Sequence, residues 1–183
     1  MPEVATPLAA WESFYVILGS SAAALTGLMF VIIVLIADMG PRGATAQGIA
    51  TFATPTIVHF SAVLLASAIL SAPWHDLTGV TWCLGVSGIF GVIYASIVVR
   101  RAFRSRDYKP VFEDWVGYVI LPFVAYAVIV IAALLLEHEP VTMLFVVGAG
   151  CILLIFAGIH NAWDTVTHLT LQRLEREKKE KAV

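Results

Sequence analysis

Apolar residues in this chain come in five long blocks, and its polar residues collect at the seams between them. A helix needs about 20 apolar residues to cross a hydrocarbon core of roughly 30 Å. On that measure the spans are 11–37, 54–72, 77–99, 114–136 and 141–168. The pattern predicts an all-α membrane protein with five transmembrane helices: a single five-helix transmembrane domain over 1–171, then a charged helix or tail over 172–183. The run from Gln172 to Lys181 carries Glu175 four residues before Lys179 and Glu177 four before Lys181, the favourable order for a solvated helix.

The seams supply end signals. Thr54 followed by Pro55 reads as a helix cap with proline in the first turn, and Asp114 reads as a cap for the fourth span. Trp11, Tyr15, Trp74 and Trp82 are expected at one membrane surface, and Tyr108, Trp115, Tyr118 and Trp163 at the other. The segment 38–50, with Gly40, Pro41, Gly43 and Gly48, reads as a flexible loop. Pro122 is expected to bend the fourth span.

Charge then orients the spans. The eleven Lys and Arg residues fall into three groups: Arg42; Arg100, Arg101, Arg104, Arg106 and Lys109; and Arg173, Arg176, Lys178, Lys179 and Lys181. With five spans all three groups lie on one side, and positive charge stays cytoplasmic. The N-terminus is therefore expected outside and the C-terminus in the cytoplasm, with the last helix extending into it. The first 41 residues hold no Lys or Arg, so the first apolar segment does not read as a cleaved signal. Basic clusters at that surface suit the headgroups of anionic lipids. A mean hydropathy of +0.89 and 60% hydrophobic residues exclude a soluble domain, and a net charge of -2 gives no footing for nucleic acid. Cys83 and Cys151 stand alone inside apolar runs and read as small buried hydrophobes.

Small residues predict packing. In lipid, helices associate where small side chains let backbones approach closely. Gly19, Ala23 and Gly27 form such a ridge on the first span, expected inside the bundle or at a contact with a second copy. Gly85, Gly88 and Gly91 do the same on the third, where a phosphate-loop reading fails for want of a strand-to-helix turn.

Ionisable groups inside spans are costly, so each is a candidate site. His59 and His160 fall at similar depth in the half nearer the basic loops. Asp164 follows His160 by one helical turn, and Asn161 adjoins it. His59, His160, Asn161 and Asp164 are thus expected to form one cluster: a proton relay or ion pathway, a metal site of His59, His160 and Asp164 for a transition metal, a haem held by the two histidines, or hydrogen bonding that fixes helix register. His168 is expected among headgroups. At the opposite face, His75, Asp76, Glu137, His138 and Glu139, with Glu3 and Glu12, make an acidic surface that attracts cations or is merely solvated. Zinc-protease, nucleophile-elbow and P-loop motifs are absent, which disfavours conventional enzyme chemistry.

The stretch 11–31, Trp-Glu-Ser-Phe-Tyr-Val-Ile-Leu-Gly-Ser-Ser-Ala-Ala-Ala-Leu-Thr-Gly-Leu-Met-Phe-Val, resembles the first helix of a group of small uncharacterised bacterial membrane proteins. The resemblance implies a multi-pass protein of a bacterial inner membrane and carries no function. The leading functional expectation is a homo-oligomeric channel or transporter for a cation or protons, with the His/Asp cluster as its control point. The alternatives are a metal- or haem-binding membrane protein and an accessory or scaffold subunit.

Overall fold

The computed structural model describes residues 7–38, 46–104 and 116–181. A short 3-10 turn, Pro7–Trp11, leads into α1 (Glu12–Asp38). Three helices follow: α2 (Ala46–Ser71), α3 (Leu77–Arg104) and, after a π turn at Val116–Ile120, α4 (Leu121–Leu135). The last, α5 (Pro140–Lys181), runs 42 residues through the charged segment. Five helices are long and apolar enough to cross a membrane, over Pro7–Val34, Thr54–Ser71, Leu77–Arg100, Gly117–Leu135 and Pro140–Thr167. Each agrees closely with a block of the sequence pattern, and the architecture is that of a multi-pass membrane protein. Arg42, Arg106, Tyr108, Lys109, Asp114, Trp115, Glu3 and residues 39–45 lie outside the described residues, as do the side chains of Arg101, Arg104, His168, Arg173, Arg176, Glu177, Lys179 and Lys181.

Consecutive helices α2 to α5 pack side by side, and α5 returns to α2, closing a ring of four in which α2 and α3 make the loosest side. Helix α1 lies outside this ring, mainly along α2, and touches α5. Two tight turns hold one end. Asp76 Oδ1 accepts hydrogen bonds from the amides of Thr78 (3.0 Å) and Gly79 (3.3 Å), capping α3. The indole of Trp74 donates to the Ile69 carbonyl at 2.6 Å and lies over Gly79, where a β-carbon would collide with it. At the other turn the amides of His138 and Glu139 both donate to the Leu135 carbonyl, and Pro140 starts α5 where its missing N–H is not needed. We call this the loop end. The opposite end carries Arg100 and the charged tail and is called the Arg-bearing end.

Glycines set the closest contact in the ring. A β-carbon on Gly88 would lie 2.8 Å from Val130 Cγ2, and one on Gly91 would overlap the Tyr126 ring. The α3 glycines therefore let α4 lie flat against α3, with Gly85 at the looser edge, 3.9 Å from the Ala133 methyl. On α1 the outcome is divided. Gly19 is pressed against Ser67 of α2, whereas Ala23 is exposed and Gly27 meets nothing within 4 Å. The buried stripe of α1 is instead Tyr15, Leu18, Ala22 and Met29. These steps of three, four and seven residues keep one face toward the neighbour.

Three local expectations are corrected. Helix α2 begins at Ala46, so Thr54 is no cap and Pro55 sits inside the helix. Residues 46–53 form the helix ahead of Pro55, whose missing amide removes one hydrogen bond of the ladder. Tyr15 does not join an interfacial belt: it is buried, and its hydroxyl donates to the Leu144 carbonyl at 2.6 Å. Cys83 faces outward, while Cys151 is buried as expected. Pro122, expected to bend the fourth span, falls on the second position of α4, directly after the π turn.

Candidate functional site

The interior of the ring is polar toward the Arg-bearing end: Thr56 and His59 of α2, Tyr126 of α4 and Asn161 of α5 are buried there, and Tyr94 of α3 stands beside His59. On α2, Thr56, His59, Val63, Ala66 and Leu70 recur at helical spacing and are all buried, so His59 shares the face that packs the core. Tyr126 sits on the corresponding face of α4 with Pro122, Ala125, Ile129 and Ala133. On α5 the buried series is Leu144, Val147, Cys151, Leu154 and Asn161.

His59 is 2% exposed and its Nδ1 lies 2.9 Å from the Tyr126 hydroxyl. The Tyr94 ring stands edge-on to the imidazole, 6.5 Å away at 81°. The other ring nitrogen, Nε2, is buried without a hydrogen-bond partner. Asn161 is wholly buried, and neither its amide nitrogen nor its amide oxygen has a partner. Its backbone is held instead: the hydroxyls of Tyr118 (3.2 Å) and Thr165 (2.8 Å) both donate to the Asn161 carbonyl. Phe60, next to His59, presses on Gly158, less than one helical turn before Asn161, which sets the two polar residues at neighbouring levels.

The four residues expected as one cluster are thus split. His160 and Asp164 pair with each other, Nε2 to Oδ2 3.3 Å, on the outer surface, with side chains 48% and 38% exposed. A step of one residue turns a helix by about 100°, so Asn161 points inward where His160 points out. His59, His160 and Asp164 do not converge: among the described residues no three His, Cys, Asp or Glu side chains gather as metal ligands. The haem variant is equally unfavoured, since His160 pairs with Asp164 on the outer surface, away from His59. Gly117 of the π turn packs against both His160 and Asn161. A β-carbon there would stand 2.7 Å from His160 Cδ2, 3.2 Å from its Nε2 and 3.5 Å from Asn161 Oδ1.

Toward the loop end the ring interior is apolar. Val63, Leu70, Val80, Leu84, Ile129, Ala132, Ala133, Val147, Cys151 and Leu154 fill it, each at most 4% exposed. His75, Asp76, Glu137, His138 and Glu139 are all exposed at that end, and Asp76 is engaged in capping. The residues that the sequence did not single out are Tyr94, Tyr126, Thr165 and Gly117. A signal for two of them exists: Tyr94 and Tyr126 lie within spans, away from the interfacial depth that tyrosine prefers.

Comparison with models of protein families, with curated proteins and with solved structures finds no match to this chain.

Proposed function

We propose that this chain is a membrane transporter of protons, with His59 as the group that carries them. The observation behind this reading is the state of His59: buried beside Tyr94 and Tyr126, tied through Nδ1 to Tyr126, and open at Nε2. Imidazole is the side chain whose charge changes nearest neutral pH, and an ionisable group kept within a span is costly unless used. When Nδ1–H donates to the Tyr126 oxygen, Nε2 offers a lone pair. A proton bound there gives the imidazolium, and its release from the same nitrogen restores the neutral ring. Tyr126 keeps the ring oriented throughout.

The apolar half of the core argues for a carrier that opens to each side in turn rather than a standing pore, because water and ions do not cross a packed hydrocarbon layer. Orientation in the inner bacterial membrane with the Arg-bearing end cytoplasmic, anionic lipid at that end, and association of copies through the outward Ala23 and Gly27 belong to the same proposal. The acidic loop end then concentrates cations outside.

The test is proton flux into vesicles holding the purified protein under an imposed pH difference. Wild type is expected to carry protons, and His59→Phe to lose flux while keeping its elution as a folded species. Absence of proton flux in wild type at every pH tried would overturn the reading, and flux of sodium or potassium alone would replace protons with that cation.

A further inference from the structure

Toward the Arg-bearing end the outer face of α3 carries a depression that the bundle leaves open. Its volume is about 260 Å³, and Val92, Ile93, Ser96, Ile97 and Arg100 line it. We infer that it seats one acidic phospholipid, with an acyl chain along Val92, Ile93 and Ile97 and the phosphate on the Arg100 guanidinium. The inference rests on the placement of anionic lipid at this end in the reading above, and not on proton carriage by His59.

Helix periodicity explains why the space is free. The packed face of α3 runs through Leu84, Gly88, Gly91 and Ala95, all buried, and the two glycines bring α4 against it. Each step of one residue turns a helix by about 100°, so Val92, Ser96 and Arg100, four residues apart, align on another face. Ser96, in the middle of that row, is the smallest of the five lining residues, and Ile93 and Ile97 beside it are exposed. The row is low at its centre and flanked by branched side chains.

The chemistry of the lining selects the occupant. The third apolar span ends at Arg100, where hydrocarbon gives way to headgroups, and Val92 lies about 12 Å deeper along the helix. A molecule that fits is apolar over that length and anionic at one end. Below the arginine the one polar side chain is Ser96, and its hydroxyl donates to the Val92 carbonyl at 2.8 Å, which leaves an apolar seat. Arg100 is exposed, and among the described residues no carboxylate pairs with it. Its planar fork matches phosphate oxygens. The stretch 100–109 holds four arginines and one lysine against one aspartate, which disfavours an ammonium headgroup and selects an acidic one. A second copy of the chain in the same orientation would set cation against cation at this point.

Native mass spectrometry of the full chain in mild detergent, titrated with phosphatidylglycerol or with phosphatidylcholine, counts the lipids held per chain. Wild type is expected to hold one phosphatidylglycerol with a several-fold preference over phosphatidylcholine, and Arg100→Gln to lose that preference. Ser96→Leu fills the middle of the row without touching a charge and is expected to weaken phosphatidylglycerol binding several-fold. Arg176→Gln removes the same charge from the tail and is expected to bind as wild type does. If Arg176→Gln weakens binding as much as Arg100→Gln, or a folded Ser96→Leu binds as wild type does, the attraction belongs to the whole end and the seat is overturned. Where Ser96→Leu does not fold, the two arginine variants still decide. Equal binding of the two lipids by wild type overturns the seat together with the placement of anionic lipid, whereas proton flux bears on His59 alone.

Discussion

The same four helices build two unlike interiors. Near the loop end the ring is filled by Val63, Leu84, Ile129, Cys151 and Leu154, and its buried polar atoms are small hydroxyls, those of Ser67, Ser71 and Thr81. Toward the Arg-bearing end it holds His59, Tyr126 and Asn161, with ring and amide atoms left open. Even the one buried phenol of the apolar half, Tyr15, is closed off by the Leu144 carbonyl. A hydrocarbon solvent cannot explain this contrast, since both halves meet the same lipid.

Substitutions can break that comparison. The largest effect is expected from Val63→Asp. An unpaired carboxylate in the apolar half costs several kcal/mol, so no folded species should elute on size exclusion in mild detergent. Asn161→Asp in the polar half should still fold, and equal loss in both variants would mean that the two halves do not differ in polarity. Leu154→Ala, which opens a void in the apolar half, is expected to lower stability by about 2–5 kcal/mol, read from denaturant unfolding in mixed micelles.

Tyr126→Phe leaves His59 Nδ1 without its partner and is expected to cost about 1–3 kcal/mol. The double change His59→Leu with Tyr126→Phe removes both partners and should return stability close to wild type while abolishing flux. If the double variant is no more stable than the single one, the pair serves the fold by its shape rather than by its hydrogen bond. The smallest effect is expected from Trp163→Ala. That ring is 69% exposed on the outer surface of α5, and its loss should change stability within about 0.5 kcal/mol in the same assay.

The legible part of this molecule is the part that lipid dictates. The five spans and the segregation of Arg and Lys from the acidic loop residues follow from length and charge. His59 was also legible, because an ionisable residue in a span stands out against its neighbours. Its partner, Tyr126, was not. His160 and Asp164 carry the louder chemical signal on α5, yet the quieter Asn161 is the residue that turns inward. The start of α2 was missed for a local reason: a Thr-Pro pair resembles a helix start, and nothing in the pair itself tells whether a helix already precedes it.

Sequence by itself determined how many times this chain can cross a membrane and which residues gather at each end, because the hydrophobic effect and charge act on each segment alone. Tertiary structure decided which face of each helix looks inward. In a soluble protein the water-facing side would have declared itself, but here Phe156 and Trp163 on the outside are as apolar as Leu154 on the inside. With no contrast around the helix axis, rotation is set by close packing at Gly88, Gly91, Gly117 and Gly158, and those contacts exist only once the helices have met.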